Sequence, residues 1–361
     1  MKTSITKSIT GIACALFLAI VSFSACSNND DKEKPFPASL SPYDMNRPVG
    51  FGQGITGGNG QNPVTVNTAD ALIAAVSGTN AATVYVEGQI TLHNTIPVGS
   101  NKTIIGRNGA TIINHEQNEN AGIFLLRGSS NIIIRNLTLK GPGAYDIDVN
   151  YGDNISLVGA VNVWVDHCDV QDGIDGNMDI VEGSDNICVS WTHFRYLIDP
   201  KSGGSGGNNN HRFSNLVGGK DNNMEIDGGH LNCTFINCWW GEGCSERCPR
   251  VRFGKVHVVN CLYNSNDFDD CIAYGVYSNI YAEKCAFTTK SAQDNYLKDR
   301  HKDADFNVVL KDCYGVEDVV LKQGDRSQFI PTYSYVSYDA NMVESVVTDT
   351  RTGVGPTLDI E

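Results

Sequence analysis

A short pattern recurs along this chain, and fixed-interval recurrence restricts the possible folds more than any composition figure. Asn131-Ile132-Ile133-Ile134-Arg135-Asn136-Leu137-Thr138-Leu139 sets the template. The same shape returns at Asn162-Val163-Trp164-Val165-Asp166-His167-Cys168-Asp169-Val170 and at Asn186-Ile187-Cys188-Val189. Further copies begin at Asn232, Val256, Asn279 and Asn307. Most successive copies lie 23 to 31 residues apart, with one gap of 46 between Asn186 and Asn232. Each copy reads as two short alternating strands with a bend between them, and a period of two turns one face inward. One copy cannot bury that face alone, so the copies must stack into a solenoid. Rungs of this length, rich in β-branched residues and without helices between them, predict an all-β chain wound as a parallel β-helix.

Other residues agree with that frame. Asn at the bends tolerates left-handed backbone and can hydrogen-bond to the next rung. Aligning the copies puts Cys168, Cys238, Cys261, Cys285 and Cys313 in one inward column with Leu137 and Thr192. One thiol per rung suits small buried side chains stacked in a core, rather than disulfides or zinc ligands. Cys244 and Cys248 fall outside the column, and a disulfide or free thiols remain open there. Thr68 to Val76 reads as a short amphipathic helix with a polar start, placed to cap the open N-terminal end of the solenoid. Residues after about 318 show no clear rung and are expected to wrap the outside as loops.

The first residues do not belong to the solenoid. Lys2 and Lys7 precede an apolar stretch, Ile12 to Phe23, too short to span a membrane as a mature helix. Small residues then lead into Cys26, and polar Ser27-Asn28-Asn29-Asp30-Asp31 follows. We expect a lipoprotein signal at 1–25, a lipidated Cys26 as the only membrane attachment, a flexible tether to 42 and the β-helix domain from 43 to 361. An ordinary secretory leader is the alternative. Either way the chain is exported, to the bacterial outer membrane or beyond, and a monomer is expected. Without 1–25, Lys plus Arg falls from 27 to 25 against 41 acids, a net charge of about −16. That balance argues against nucleic-acid binding, which needs a basic footprint. An anionic polymer remains possible only with a cationic patch or a bound metal to offset repulsion.

Two clusters carry candidate chemistry. Asp153 lies eleven residues before Trp164, while Asp175 and Asp179 flank Gly176-Asn177-Met178 just ahead of the rung at Asn186. Stacked rungs bring such residues within one coil spacing, where three carboxylates suit a hard cation such as calcium. Carboxylates that merely face water are the alternative. In the second cluster, Arg247-Cys248-Pro249-Arg250-Val251-Arg252, alternation sends Arg250 and Arg252 to one side. Guanidinium groups there suit a substrate carboxylate; salt bridges within the protein are the alternative.

Trp164-Val165-Asp166-His167 and Arg247-x-Pro249-x-x-Arg252 resemble the two signature motifs of the pectate lyase superfamily, polysaccharide lyase family one. Gly50-Phe51-Gly52, Asn101 to Gly106 and Asp175 to Ile180 are also similar to it, so the likeness spans roughly residues 48 to 290. The resemblance implies a right-handed, single-stranded parallel β-helix. It also implies calcium-dependent β-elimination of α-1,4-linked polygalacturonate to 4,5-unsaturated oligogalacturonates. By position, Asp153, Asp175 and Asp179 match calcium ligands, Arg247 the catalytic base and Arg252 the arginine that binds the substrate carboxylate. Asp166 and His167 are expected to hold loops together. Tyr151 stands where the family often has a further aspartate, so one calcium ion is expected. The family's substrate-binding lysine has no clear counterpart beside the apparent insertion Lys201 to Gly207; Lys201 and Arg212 are the candidates, with Arg212 preferred.

In that chemistry the hydrogen α to the uronate carboxylate becomes acidic only once the carboxylate charge is neutralised, by calcium and Arg252. An arginine base is normally protonated, so activity is expected to rise on the alkaline side. A pectin lyase acting on methyl-esterified polymer is the nearest rival, but has no need of the three aspartates. A hydrolase would need paired carboxylates, and the one adjacent aspartate pair in the rungs, Asp269-Asp270, lacks the expected context. From another class, a non-catalytic glycan-binding surface β-helix is the remaining alternative.

Overall fold

The computed structural model describes residue 37 and residues 40–147 and 151–360. The expected leader and Cys26 lie outside the described residues. Among the described residues the rungs stack into three sheets of eleven, eight and eight strands, parallel except at one end. The chain visits the three in rotation and advances one strand per turn, giving the expected right-handed parallel β-helix.

The template residues fall where the repeat requires. In the first sheet Ile134, Val165, Val189, Phe235, Val258, Ala282 and Leu310 stand in register on seven successive coils, all fully buried. A second row runs beside it from Ile132 through Val163, Ile187, Cys233, Val256 and Ile280 to Val308. A single coil presents only one residue of each row, so the hydrophobic driving force exists only in the stack. In the second sheet Phe194, Trp240, Tyr263 and Phe287 form an aromatic pile with centroids 5.9, 4.9 and 4.5 Å apart.

Bends between first and second sheets use left-handed residues: Asn136, Asn237 and Asn260 have φ of 57°, 53° and 49°. Next to them Cys168, Cys238, Cys261 and Cys285 are buried and unpaired, and Cys313 ends the column half-buried. The Cys238 N–H donates to Cys261 Sγ at 3.4 Å, and burial pushes the Cys168 thiol up to about 12. Cys244 and Cys248 are likewise free and buried.

The capping helix runs Ala69–Val76, with the Thr68 hydroxyl accepting from the Ala71 N–H at 3.3 Å. Leu72 and Val76 close the end of the core. The far end differs from a pure wrap of loops. Val319–Gln323 forms a strand antiparallel to Phe306–Lys311, because that last parallel strand would otherwise leave its edge unpaired. Beyond it the chain runs back along the outside, where Tyr338 N–H bonds Asn260 and Leu358 N–H bonds Asn136. On the outer face of the first sheet the Gly50–Gly52 turn lies so close that added β-carbons would meet Thr234 Oγ1 at 2.2 Å and Cys188 Cβ at 2.4 Å. The 46-residue gap is one coil, with long connections before and after the strand Leu216–Val217.

Candidate active site

The third sheet carries the site. Its strands Ile155–Val158, Met178–Val181, Leu216–Val217 and Arg250–Val251 lie side by side on consecutive coils. Ser156 is in register with Asp179, and Leu216 with Arg250. The Leu216 N–H donates to Asp179 Oδ1 at 3.1 Å, tying the middle of that row together. Alternation buries Ile180, Val217 and Val251 and turns Asp179, Leu216 and Arg250 outward.

Above this row is a cleft of about 550 Å³. Asp153, Asp175 and Asp179 all line it, so the fold brings together three acids spread over 27 residues of sequence. Asp153 ends the connection before its strand and is buried; its Oδ2 accepts from the Ser156 hydroxyl at 2.9 Å, while its Oδ1 is buried with no hydrogen-bond partner. Burial, and then the charges of Asp179 and Asp175, push the Asp153 carboxyl well above the usual range. Burial also pushes Asp179 up to about 7, with Asp175 adding to the rise and Arg247 opposing it. An orphaned carboxylate oxygen among like charges is what a hard, oxygen-seeking cation would relieve, so the donor set fits calcium. Among the described residues no group of three or more His, Cys, Asp or Glu stands at metal-binding spacing. Asp175 is drawn aside by His211, whose Nε2 lies 3.0 Å from Asp175 Oδ1 while its Nδ1 lies 3.1 Å from Asp146 Oδ1.

Arg247, Arg250 and Arg252 belong to the coil after Leu216–Val217, and none of them lines the cleft. Arg247 has φ of 60°, its N–H donates to Asp270 Oδ1 at 3.0 Å, and its guanidinium lies over the Phe213 ring at 4.4 Å. Left-handed backbone at a non-glycine residue is stored strain of the kind found at functional sites. Its Nε is buried without a hydrogen-bond partner. Arg252 is nearly buried, donating to Asp221 Oδ1 at 2.5 Å and to the Gly218 carbonyl at 2.7 Å. Arg250 stands between them, and burial plus the charges of Arg252, Arg247 and Arg300 lower it to about 10. Asp179, Leu216 and Arg250 thus stand in one outward row of one sheet.

Other expected residues lie elsewhere. Arg212 bonds Asn210 at 2.6 Å and reaches Asp267 at 3.4 Å; it does not line the cleft. Lys201 donates to Gln117 at 3.1 Å and sits over the Tyr145 ring. Asp166 is fully buried between Arg135 Nε at 2.6 Å, His167 Nδ1 at 2.7 Å and the Ser190 hydroxyl at 2.6 Å. That network clamps coils on the first sheet, away from the cleft. Sequence reasoning missed His211, Glu182 and Lys220. Glu182 and Lys220 line the cleft, where the Tyr151 hydroxyl donates to Glu182 at 3.1 Å. The one available signal was position, since Glu182 and Lys220 each lie just beyond a third-sheet strand.

A family model for pectate lyase matches residues 43–356. A probable pectate lyase B of Aspergillus terreus is 33% identical over 247 residues, covering 65% of this chain and 66% of that protein. Pectate lyase A of Aspergillus niger is 36% identical over 218 residues, covering 58% and 59%. The chain therefore spans from 59% to 66% of these relatives' own length. Among solved structures, a thermostable pectate lyase superposes with a TM-score of 0.66 at 21% identity, over 88% of this chain and 98% of that one, which supports the fold.

Proposed function

The chain belongs to the pectate lyase family, and on that premise we propose that it cleaves polygalacturonate by calcium-assisted β-elimination. One observation carries this reading: the buried Asp153 oxygen without a partner lies among like charges, with Arg247 acting electrostatically on both Asp153 and Asp179. Asp153, Asp175 and Asp179 would hold calcium, which when bound supplies positive charge to neutralise a uronate carboxylate. Arg252, steadied by Asp221 and Gly218, is suited to orient a second oxygen of that carboxylate.

Arg247 is the proposed base. In its neutral form it takes the proton α to the carboxylate. The C–H electron pair becomes the new C4=C5 double bond, and the C4–O bond breaks with its pair leaving on the glycosidic oxygen. Turnover is expected to rise toward alkaline pH. The same reading takes the protein to be a monomer, exported and lipid-anchored at Cys26. Among the described residues no helix is long and apolar enough to cross a membrane. Loss of acyl labelling in Cys26→Ala would bear out the anchor; retained labelling would refute it.

Protein lacking residues 1–26 is incubated with polygalacturonate at alkaline pH, and ultraviolet absorbance of the unsaturated product is followed with calcium and then with excess chelator. Calcium-dependent absorbance is expected, and Arg247→Lys is expected to abolish it while the fold melts as before. Activity that survives chelation and prefers esterified substrate would replace this reading with a pectin lyase. No absorbance under any condition would point to a glycan-binding protein.

A further inference from the structure

The adjacent pair Asp269-Asp270 divides in the fold: Asp269 is exposed and Asp270 fully buried, beside the arginine taken above as the base. On the coil of Arg247 the neighbouring amides stay in the ladder. Cys248 N–H donates to the Cys271 carbonyl at 2.8 Å, and Arg250 N–H to the Asn215 carbonyl at 3.0 Å. Arg247 has left-handed backbone, and its N–H donates instead to a side chain, Asp270 Oδ1 at 3.0 Å. Its carbonyl accepts from the Asn215 N–H at 2.6 Å, so the residue is held from the coil on either side. The Ser245 carbonyl closes the clamp, accepting from the Asp269 and Asp270 N–H groups at 2.8 and 3.1 Å. The other Asp270 oxygen accepts from Arg300 Nη2 at 3.1 Å. Arg300 thus matches the charge of Asp270, while the Arg247 guanidinium over the Phe213 ring keeps an Nε without a partner. A buried carboxylate that grips the backbone of one arginine and the side chain of another fixes where the first one points and leaves its guanidinium free to react.

We propose that Asp270, held by Arg300, is a positioning residue for Arg247: its hydrogen bond to the Arg247 N–H maintains the left-handed backbone that aims the guanidinium at the substrate. This rests on the reading of Arg247 as the base of a uronate-cleaving site. A base acts only in the transition state, so a misaimed Arg247 lowers kcat and leaves substrate and calcium binding in place. A role confined to stability would lower resistance to urea and leave kcat of the folded fraction alone.

The test uses protein lacking residues 1–26 as wild type, Asp270→Ala, Asp270→Asn, Arg300→Gln and, as a control for lost charge on the same loop, Asp269→Asn. Urea unfolding gives the folded fraction of each, steady-state kinetics on polygalacturonate give kcat and KM, and calorimetry gives calcium affinity. Asp270→Ala is expected to lower kcat roughly 100-fold, the cost of a misplacement of about 1 Å, with KM and calcium affinity within about twofold of wild type. Asp270→Asn keeps an oxygen for the Arg247 N–H and should recover most of that loss, whereas Asp269→Asn should change nothing. A wild-type kcat in Asp270→Ala, or an equal loss in Asp270→Asn, would overturn the role of this hydrogen bond and leave the lyase reading standing. A KM or calcium affinity that weakens in step with kcat would overturn it as well, since the whole site would then have shifted. Should Asp270→Ala fail to fold, Arg300→Gln decides: kcat down about tenfold at constant KM supports the role, and a wild-type kcat overturns it. A wild type without turnover would overturn the lyase reading itself, and the role of Asp270 with it.

Discussion

Replacing Asp179 by Asn removes one charge from a cleft where three carboxylates face one another, and it keeps the oxygen that accepts from the Leu216 N–H. The folded chain raises the Asp179 carboxyl from 3.8 to about 7, chiefly by burial. A rise of that size is a penalty on the ionised form of about 4 kcal/mol. The sign follows from linkage: between these two values the folded state holds a proton that the unfolded state has released. Stability from this group is therefore full below 3.8 and lost as pH rises through about 7. Asp153 titrates with it and shares the proton, so the gain from one substitution is bounded above by about 4 kcal/mol. In chelator at pH 8, Asp179→Asn should be more stable than wild type, and the difference should vanish near pH 4. Calcium should reverse the order, since it stabilises only a chain that keeps its ligands. Urea unfolding from pH 4 to 8, with calcium and with chelator, measures this directly. An Asp179→Asn chain that is less stable than wild type in chelator at pH 8, or equally stabilised by calcium, would refute the electrostatic account of the cleft.

Three further outcomes are expected. Gly176→Ala would set a methyl 2.5 Å from Asp153 Oδ1 and 3.4 Å from Asp179 Oδ1, so calcium affinity should fall roughly 10- to 100-fold by titration calorimetry; unchanged affinity would remove these two acids from the metal site. Asp166→Ala leaves Arg135 and His167 without their buried counter-charge and should cost about 3–5 kcal/mol in urea unfolding. Although burial pushes Asp166 up, His167 and Arg135 hold its carboxyl below 3.8. The contribution is thus full above that value and lost as pH falls through the folded pKa, so the two chains should converge in acid; a gap that is independent of pH would deny the ion pairs. In protein lacking residues 1–26, thiol reagent should find ten cysteines after unfolding and very few in the native state, with Cys313 reacting first; fewer than ten in denaturant would reveal a disulfide.

The solenoid was legible because its information is local and repeated. Asn at positive φ, one inward thiol per rung and alternating aliphatic residues each recur at the coil interval, so neighbouring copies corroborate one another. The three aspartates and the arginine motif were also readable, since each lies a fixed few residues from a rung whose place in the stack is known. The antiparallel strand Val319–Gln323 was not, because it answers an unpaired edge that exists only once the stack ends.

The sequence by itself determined the rung positions that carry Asp153, Asp175 and Asp179 and those that carry the Arg247 to Arg252 motif. The tertiary structure decided how the long connections of the wide coil fold back. It put His211 between Asp146 and Asp175, sent Arg212 to Asp267 and turned Lys220 into the cleft. Rung positions follow from a periodic pattern that each coil repeats, whereas a loop's path is set by long-range partners such as Asp146, which binds the Asn208 N–H from 62 residues away. No local pattern encodes such a partner, because the contact forms only when coils distant in sequence have stacked side by side.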